Sequence, residues 1–288
     1  MTTSGGGPTL LYYLYRSATA LIAPLAYRKV AAKLQAHGVP LERQRERMGH
    51  ATLPRPDSAL IWFHGASVGE SLAALTLITH FAEHLPHAQF LLTSGTATAA
   101  QVVSKRMPQR CRHQFAPLDA SGPVRRFLSH WRPSAAVFVE SELWPVTLAS
   151  TRRSGAKLAL VNARLSDRSV ARWQKKAPTA RFVLNQFSLF LTQNQHISDS
   201  LLELGAPPDR VRPGGNLKAG AEPLPVDQET LSQLRSNLGT RPVWVASSTH
   251  IGEEQPVLTA HKALLKKHPN LCLLLVPRHP ERGDEVGP

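Results

Sequence analysis

The chain has 288 residues, 42% of them hydrophobic, and 34 basic against 20 acidic residues give it a net charge of +14. That length and apolar content fit one large domain or two smaller ones and exclude a disordered chain. The charge predicts attraction to polyanions, but no RNA-binding aromatic motif, zinc-finger spacing or basic zipper accompanies it, so an anionic membrane or a phosphorylated substrate is expected before nucleic acid.

The first fifty residues read as a membrane-associated segment. Between Thr9 and Tyr27 the only charge is Arg16, tyrosines lie toward both ends, and Arg28, Lys29 and Lys33 follow. A helix lying in the membrane interface, a marginal span held with the rest of the chain on the cytoplasmic side, and a first core helix all fit this pattern. No basic stretch precedes the apolar one, which argues against a cleaved signal peptide.

From residue 51 onward, short apolar runs at 59–63, 89–93, 112–115, 135–139, 157–161 and 188–192 read as strands. Most are separated by helix-length stretches, such as 69–85 and 96–107. This alternation predicts a parallel sheet with helices on both faces, forming a domain over 51–210. The Pro- and Gly-rich stretch 207–225 reads as a connection, with the linker proper at 211–225. A second, partial domain then runs over 226–288, with a helix at 227–238, a strand at 242–246, a helix at 252–267 and a strand at 271–276. Cys111 and Cys272 belong to no paired pattern, which fits a reducing compartment and neither a disulfide framework nor a zinc site.

Chemistry-bearing residues gather just after the strands, where α/β sheets present their ligand crevice. The first group is His64-Gly65-Ala66-Ser67-Val68-Gly69-Glu70. Glu70 sits at a glycine-bent turn opening a helix, where the dipole favours negative charge; it is a candidate general base or a simple complement to the dipole. Glu140 and Glu142 follow the strand 135–139, and two acids there need hydrogen bonds or a polar ligand. Arg164, Arg168, Arg172 and Lys175 or Lys176 would form one basic stripe on a helix, either a solvated face or a clamp for phosphate. In the second half, Lys218 lies in the linker. The hydroxyls of Ser248 and Thr249 stand at a turn that would suit a phosphate, although Glu253 and Glu254 argue against a highly charged one. Arg278 and Arg282 stand at another strand end, ready for a carboxylate or phosphate. No GxGxxG, P-loop, HExxH or DxD motif occurs, which argues against an ordinary dinucleotide enzyme, an NTPase or a metal-dependent transferase.

Taken in order, HGASVGE, LLTSGTATA, HQFAPLD, ESELWP, NARLSDRS, GNLK, SSTHIGEE and PRHPER closely resemble the 3-deoxy-D-manno-octulosonic acid (Kdo) transferases of Gram-negative bacteria, and the leucine-rich start with Glu46-Arg47-Met48-Gly49 is similar to theirs. The resemblance implies a GT-B glycosyltransferase architecture of two Rossmann-like domains, the second incomplete here because the family pattern continues past Pro288. It implies an inverting, metal-independent and cofactor-free transfer of Kdo from CMP-Kdo to a lipid A precursor, at the cytoplasmic face of the inner membrane. By matching positions it makes Glu70 the base. Ser67, Gly69, Glu140, Glu142 and Arg164 become acceptor or cleft residues, and Lys218, Ser248, Thr249, Arg278, His279 and Arg282 donor contacts. Gly283 and Ile251 depart from the family pattern. Two rivals are another nucleotide-sugar transferase or epimerase on the same architecture, and a non-catalytic lipid-binding relic.

Overall fold

The computed structural model describes residues 6–217, 226–279 and 282–286. The chain divides into two compact units, Met1–Ala221 and Glu222–Pro288.

In the first unit seven strands pair in parallel, in the order β3-β2-β1-β4-β5-β6-β7. They are β1 (Leu60–His64), β2 (Gln89–Ser94), β3 (Cys111–Phe115), β4 (Ala135–Val139), β5 (Lys157–Ala163), β6 (Leu189–Thr192) and β7 (Val211–Pro213). The intervening helices are α3 (Val68–His84), α4 (Ala97–Ser104), α5 (Ser121–Trp131), α6 (Pro145–Arg153), α7 (Asp167–Gln174), α8 (Ala177–Leu184) and α9 (Gln195–Glu203). Helices cover both faces, so central strands need apolar residues on both sides and read as unbroken runs. In β1, Leu60 and Trp62 enter one core with Phe127, Phe138 and Phe187, while Ile61 and Phe63 enter the opposite one with Ile78 and Phe90. This two-residue alternation fixes the register, because a one-residue slip would exchange the two cores.

The stretch read as a linker from residue 211 instead begins with β7, which pairs with β6 at the edge of the sheet. An edge position tolerates Pro213, which has no N–H to donate. That tolerance is why a strand there resembles a loop in sequence. The basic stripe is also shorter than expected. Helix α7 contains Arg168 and Arg172, but Arg164 precedes it and Lys175 and Lys176 lie in the turn before α8. All five side chains are exposed.

Helix α1 (Leu10–Ala36) lies against this unit, followed by α2 (Leu41–Gln44) and a 3-10 turn (Arg45–Met48). Its buried residues Tyr12, Ala23 and Leu34 are eleven positions apart, three helical turns each, so one narrow face docks. Tyr12 stacks on Phe182 at 4.7 Å, and Tyr15 donates to Asp119 at 2.9 Å. Among the described residues, no helix is long and apolar enough to cross a membrane.

A buried polar network anchors the turn after α2. Glu46, fully buried, accepts from the Phe115 backbone N–H at 2.7 Å, from Thr52, and from Arg43 at 3.2 and 3.3 Å. Arg43 also meets His113 Nδ1 at 2.7 Å, and His113 Nε2 meets Ser94 at 2.9 Å. Burial, then the Arg43 charge, pushes the His113 imidazole down to about 3. Unfolded, this histidine takes a proton near its ordinary 6.5; folded, it stays neutral to about 3. Between those values the unfolded chain binds more protons, so stability falls as pH drops, by up to about 1.4 kcal/mol per pH unit. Urea unfolding of the native chain and a His113→Gln variant should therefore show a slope between pH 6.5 and 4 that is shallower in the variant; equal slopes would contradict this.

The second unit is smaller. It holds α10 (Gln228–Leu238), β8 (Val243–Thr249), α11 (Glu254–Leu265), β9 (Cys272–Pro277) and the short α12 (Gly283–Val286). Strands β8 and β9 are parallel, as a βαβ crossover requires. Cys272 is half-buried in β9.

Candidate functional site

Strand order in the first sheet reverses at β1, which lies between β2 and β4. In open parallel sheets the crevice outside the carboxyl ends of strands at such a switch point is where ligands bind. The loops after β1 and β4 are the HGASVGE and ESELWP segments.

The β1 loop is a strand-to-helix turn of close fit. A Cβ on Gly65 would lie 2.7 Å from the Glu70 backbone carbon, so the turn closes only with glycine. Ser67 caps α3 by accepting from Glu70 N at 3.3 Å. The Glu70 carboxylate reaches back, accepting from Ala66 N at 2.8 Å and from Ser67 Oγ at 2.9 Å. This is a reciprocal capping arrangement, the structural alternative to catalysis in physical form. It does not exclude a base, since each carboxylate oxygen keeps a second lone pair. Ser67 is exposed, and Gly69 and Glu70 are half-buried.

From the same strand, His64 meets Glu142 across the switch point, with Nε2 3.1 Å from Oε2. Its Nδ1 lies 2.9 Å from Thr93 Oγ1, which also accepts from Trp62 Nε1 at 2.8 Å. A carboxylate only accepts, so Nε2 donates to Glu142. Trp144 Nε1 donates to the same carboxylate oxygen. Burial raises the Glu142 carboxyl, but the hydrogen bond and charge of His64 and the indole N–H outweigh it, leaving the group below the usual carboxylate range. A cavity of about 90 Å³ opens beside this pair, lined in part by Ala66, Gly95, Trp144 and Arg47. Arg47 donates to the Ala116 carbonyl while its Nε has no partner, and burial lowers its guanidinium to about 10. Trp144 is 44% exposed.

Glu140 is placed differently. It is buried at the end of β4 with φ of 64°, a left-handed conformation that costs a non-glycine residue energy. Asn162, at φ 52°, approaches the Glu140 carboxylate at 3.4 Å and accepts from Leu217 N at 3.1 Å. Ser141 donates to the Arg164 carbonyl at 2.7 Å, so the β4 and β5 loops are tied together. Glu70, Glu140 and Arg164 do not line the cavity beside His64. Asp119 was not anticipated. It accepts from Val146 N, Thr147 N, Thr147 Oγ1 and Tyr15, holding the start of α6 and the side of α1 together. Burial raises its carboxyl against the lowering effect of these bonds. His64, Trp144 and Asn162 stand within the sequence motifs already noted, but His64 and Asn162 make their contacts with residues distant in sequence. Among the described residues, no group of three His, Cys, Asp or Glu side chains is placed to hold a metal ion.

In the second unit Ser248 has φ of 61° at a register shift between β8 and β9. Thr249 is buried, and its carbonyl accepts from Arg278 N at 2.9 Å. Arg278 and His279 are exposed, and the His250 and His279 rings lie 6.2 Å apart. Arg282 is engaged, at 2.8 Å from Glu254 and 3.4 Å from Glu285. Its hydrogen bond holds the Glu254 carboxyl at about 2. Lys218 lies outside the described residues.

Residues 42–221 match the family model for 3-deoxy-D-manno-octulosonic-acid transferase (kdotransferase). The chain belongs to the Kdo transferase family. It is 36% identical over 283 residues to a probable mitochondrial 3-deoxy-D-manno-octulosonic acid transferase of Arabidopsis thaliana, covering 96% of this chain and 63% of that protein. It is 42% identical to the Rickettsia felis transferase over 228 residues, 79% of this chain and 48% of the relative. The Haemophilus influenzae transferase is 35% identical over 83% of this chain and 56% of its own length. The chain thus spans about half to two thirds of these relatives. Among solved structures, UDP-GlcNAc 2-epimerase from Neisseria meningitidis bound to UDP-GlcNAc aligns with a TM-score of 0.55 at 14% identity, over 79% of this chain and 67% of that one. A glycosyltransferase from Rickettsia africae aligns at 0.52 and 12%, over 80% and 64%. At these identities the likenesses show only that this member of the Kdo transferase family shares their Rossmann-like α/β fold. In the family member described here, the switch-point loops are the stretches already noted as family motifs, and Glu140, Asn162 and Ser248, at or near the carboxyl ends of their strands, adopt left-handed backbone.

Proposed function

We propose that this protein moves Kdo from CMP-Kdo to a hydroxyl of a lipid A precursor, with inversion and without a metal. The observation that carries this reading is the family match across the switch-point loops. In the proposed step the Glu70 carboxylate takes the proton of the acceptor hydroxyl. The acceptor oxygen then bonds to the anomeric carbon of Kdo as the bond from that carbon to the CMP phosphate oxygen breaks, and its electron pair leaves with CMP. One displacement inverts the centre and needs one base on the face opposite the leaving group. The leaving phosphate carries little enough charge for cations and N–H groups to stabilise it. Ser248, Thr249, Arg278, His279 and Lys218 are assigned to the donor side. Arg282 is assigned instead to holding Glu254 and the start of α11, since it is already paired. His64, Glu142 and Trp144 are assigned to the acceptor sugar.

The proposed place of work is the cytoplasmic face of the inner membrane. The support is α1, whose Leu10, Leu14, Leu21 and Leu25 are exposed on the side opposite Tyr12, Ala23 and Leu34, with Leu10 and Leu21 at 75% and 81%. Such a face suits an interfacial helix. The functional test is a donor comparison with the tetraacylated precursor as acceptor. CMP-Kdo should support transfer and UDP-sugars should not; transfer or epimerisation of a UDP-sugar alone would favour the epimerase-like rival.

A further inference from the structure

A second cavity, of about 580 Å³, lies away from the switch point. It is a groove between α1, α5 and α6. Three arginines reach it, Arg16 from α1, Arg125 from the middle of α5 and Arg153 from the last turn of α6, and no acidic side chain lines it. None of the three is in an ion pair among the described residues. Ser121, Ser129, Ser150 and Ser154 add hydroxyls, with Tyr12 and Leu128 supplying apolar wall.

Arg153 has a local reason to be where it is, because a cation complements the carbonyl end of α6. Arg125 and Arg16 have no such reason. Holding three guanidinium groups around one concavity without a carboxylate costs repulsion, which a bound anion would relieve. Guanidinium forks and hydroxyls match phosphate oxygens, and the volume leaves room for the polar group esterified to the phosphate. The groove lies on the face of α1 that carries Tyr12 and Arg16, four positions apart, and not on the face of its exposed leucines.

We propose that this groove binds the phosphate ester of an anionic headgroup through Arg16, Arg125 and Arg153, separately from the His64–Glu142 centre. The proposal shares with the proposed function only the anionic membrane surface, and its test does not involve transfer. The full chain would be partitioned onto phosphatidylcholine vesicles with and without phosphatidylglycerol, and glycerol phosphate would be titrated in solution. An Arg125→Ser/Arg153→Ser variant should lose about 30-fold in partition onto the anionic vesicles, from the contribution of two cations at such a surface. Lys105→Ser/Arg106→Ser removes equal charge from exposed residues at the end of α4 and should lose less than about threefold. Arg125→Lys/Arg153→Lys should recover part of the loss, and because both arginines are exposed, all variants should unfold like the native chain. Loss of glycerol phosphate binding with vesicle binding intact would support the site and place its ligand in solution. Equal losses in the two serine variants, or no loss in either assay, would overturn the proposal. Glu70→Gln should bind vesicles normally, so a failure of transfer is distinguishable from a failure of the groove.

Discussion

Glu70→Gln should lower Kdo transfer by about 10²- to 10⁴-fold while leaving the unfolding free energy within about 0.5 kcal/mol of the native value. The separation comes from the cap that the side chain forms and the base role proposed for it. As a cap, it accepts from Ala66 N at 2.8 Å and meets Ser67 Oγ at 2.9 Å. A glutamine oxygen can accept the first bond and its amide can donate to the second, so the start of α3 survives. As a base, the group must take a proton, which an amide cannot do at neutral pH. Glu70→Ala would confound the two, since it also removes a cap. The measurement is kcat with CMP-Kdo and precursor alongside urea unfolding of the same preparations. Retained transfer in Glu70→Gln would reduce Glu70 to a capping residue and direct attention to the His64–Glu142 pair as proton acceptor.

The largest expected effect on stability is at Glu46. Glu46→Ala should destabilise the chain by about 3 kcal/mol or more, the scale of breaking a buried ion pair from one side. The carboxylate is fully buried, and its loss strands the Phe115 N–H and removes the partner of Arg43. Arg43 is about a third exposed and can recover some hydration, which places the value at the lower end of the usual range. The same change loosens the turn that carries Arg47 and ends at Gly49. There φ is 83°, and an added methyl would collide with the Pro123 carbonyl. Urea unfolding is the measure, and a loss below about 1 kcal/mol would show that the network contributes little.

Much of the fold is legible because its signals are local. The strands at 135–139 and 89–93 are apolar on both faces, and such runs leave few conformations other than a buried parallel strand. The turn at Gly65 and the cap at Ser67 are written in adjacent residues, so the start of α3 is readable to within a residue. β7 is not, since its pairing comes from β6 and its own sequence is that of a loop.

The candidate site divides along the same line. Sequence by itself determined the family, the parallel α/β class and the candidate acids Glu70, Glu140 and Glu142, since each depends on residue type next to a strand end. Only the tertiary structure decided that His64 and Glu142, 78 positions apart, form a pair, that Asn162 approaches Glu140, and that Asp119 fastens α1 to α6. Strand order sets those encounters. The strand after β3 returns to the far side of β1, and the packing of both sheet faces, a property of the whole chain, chooses that edge over the other.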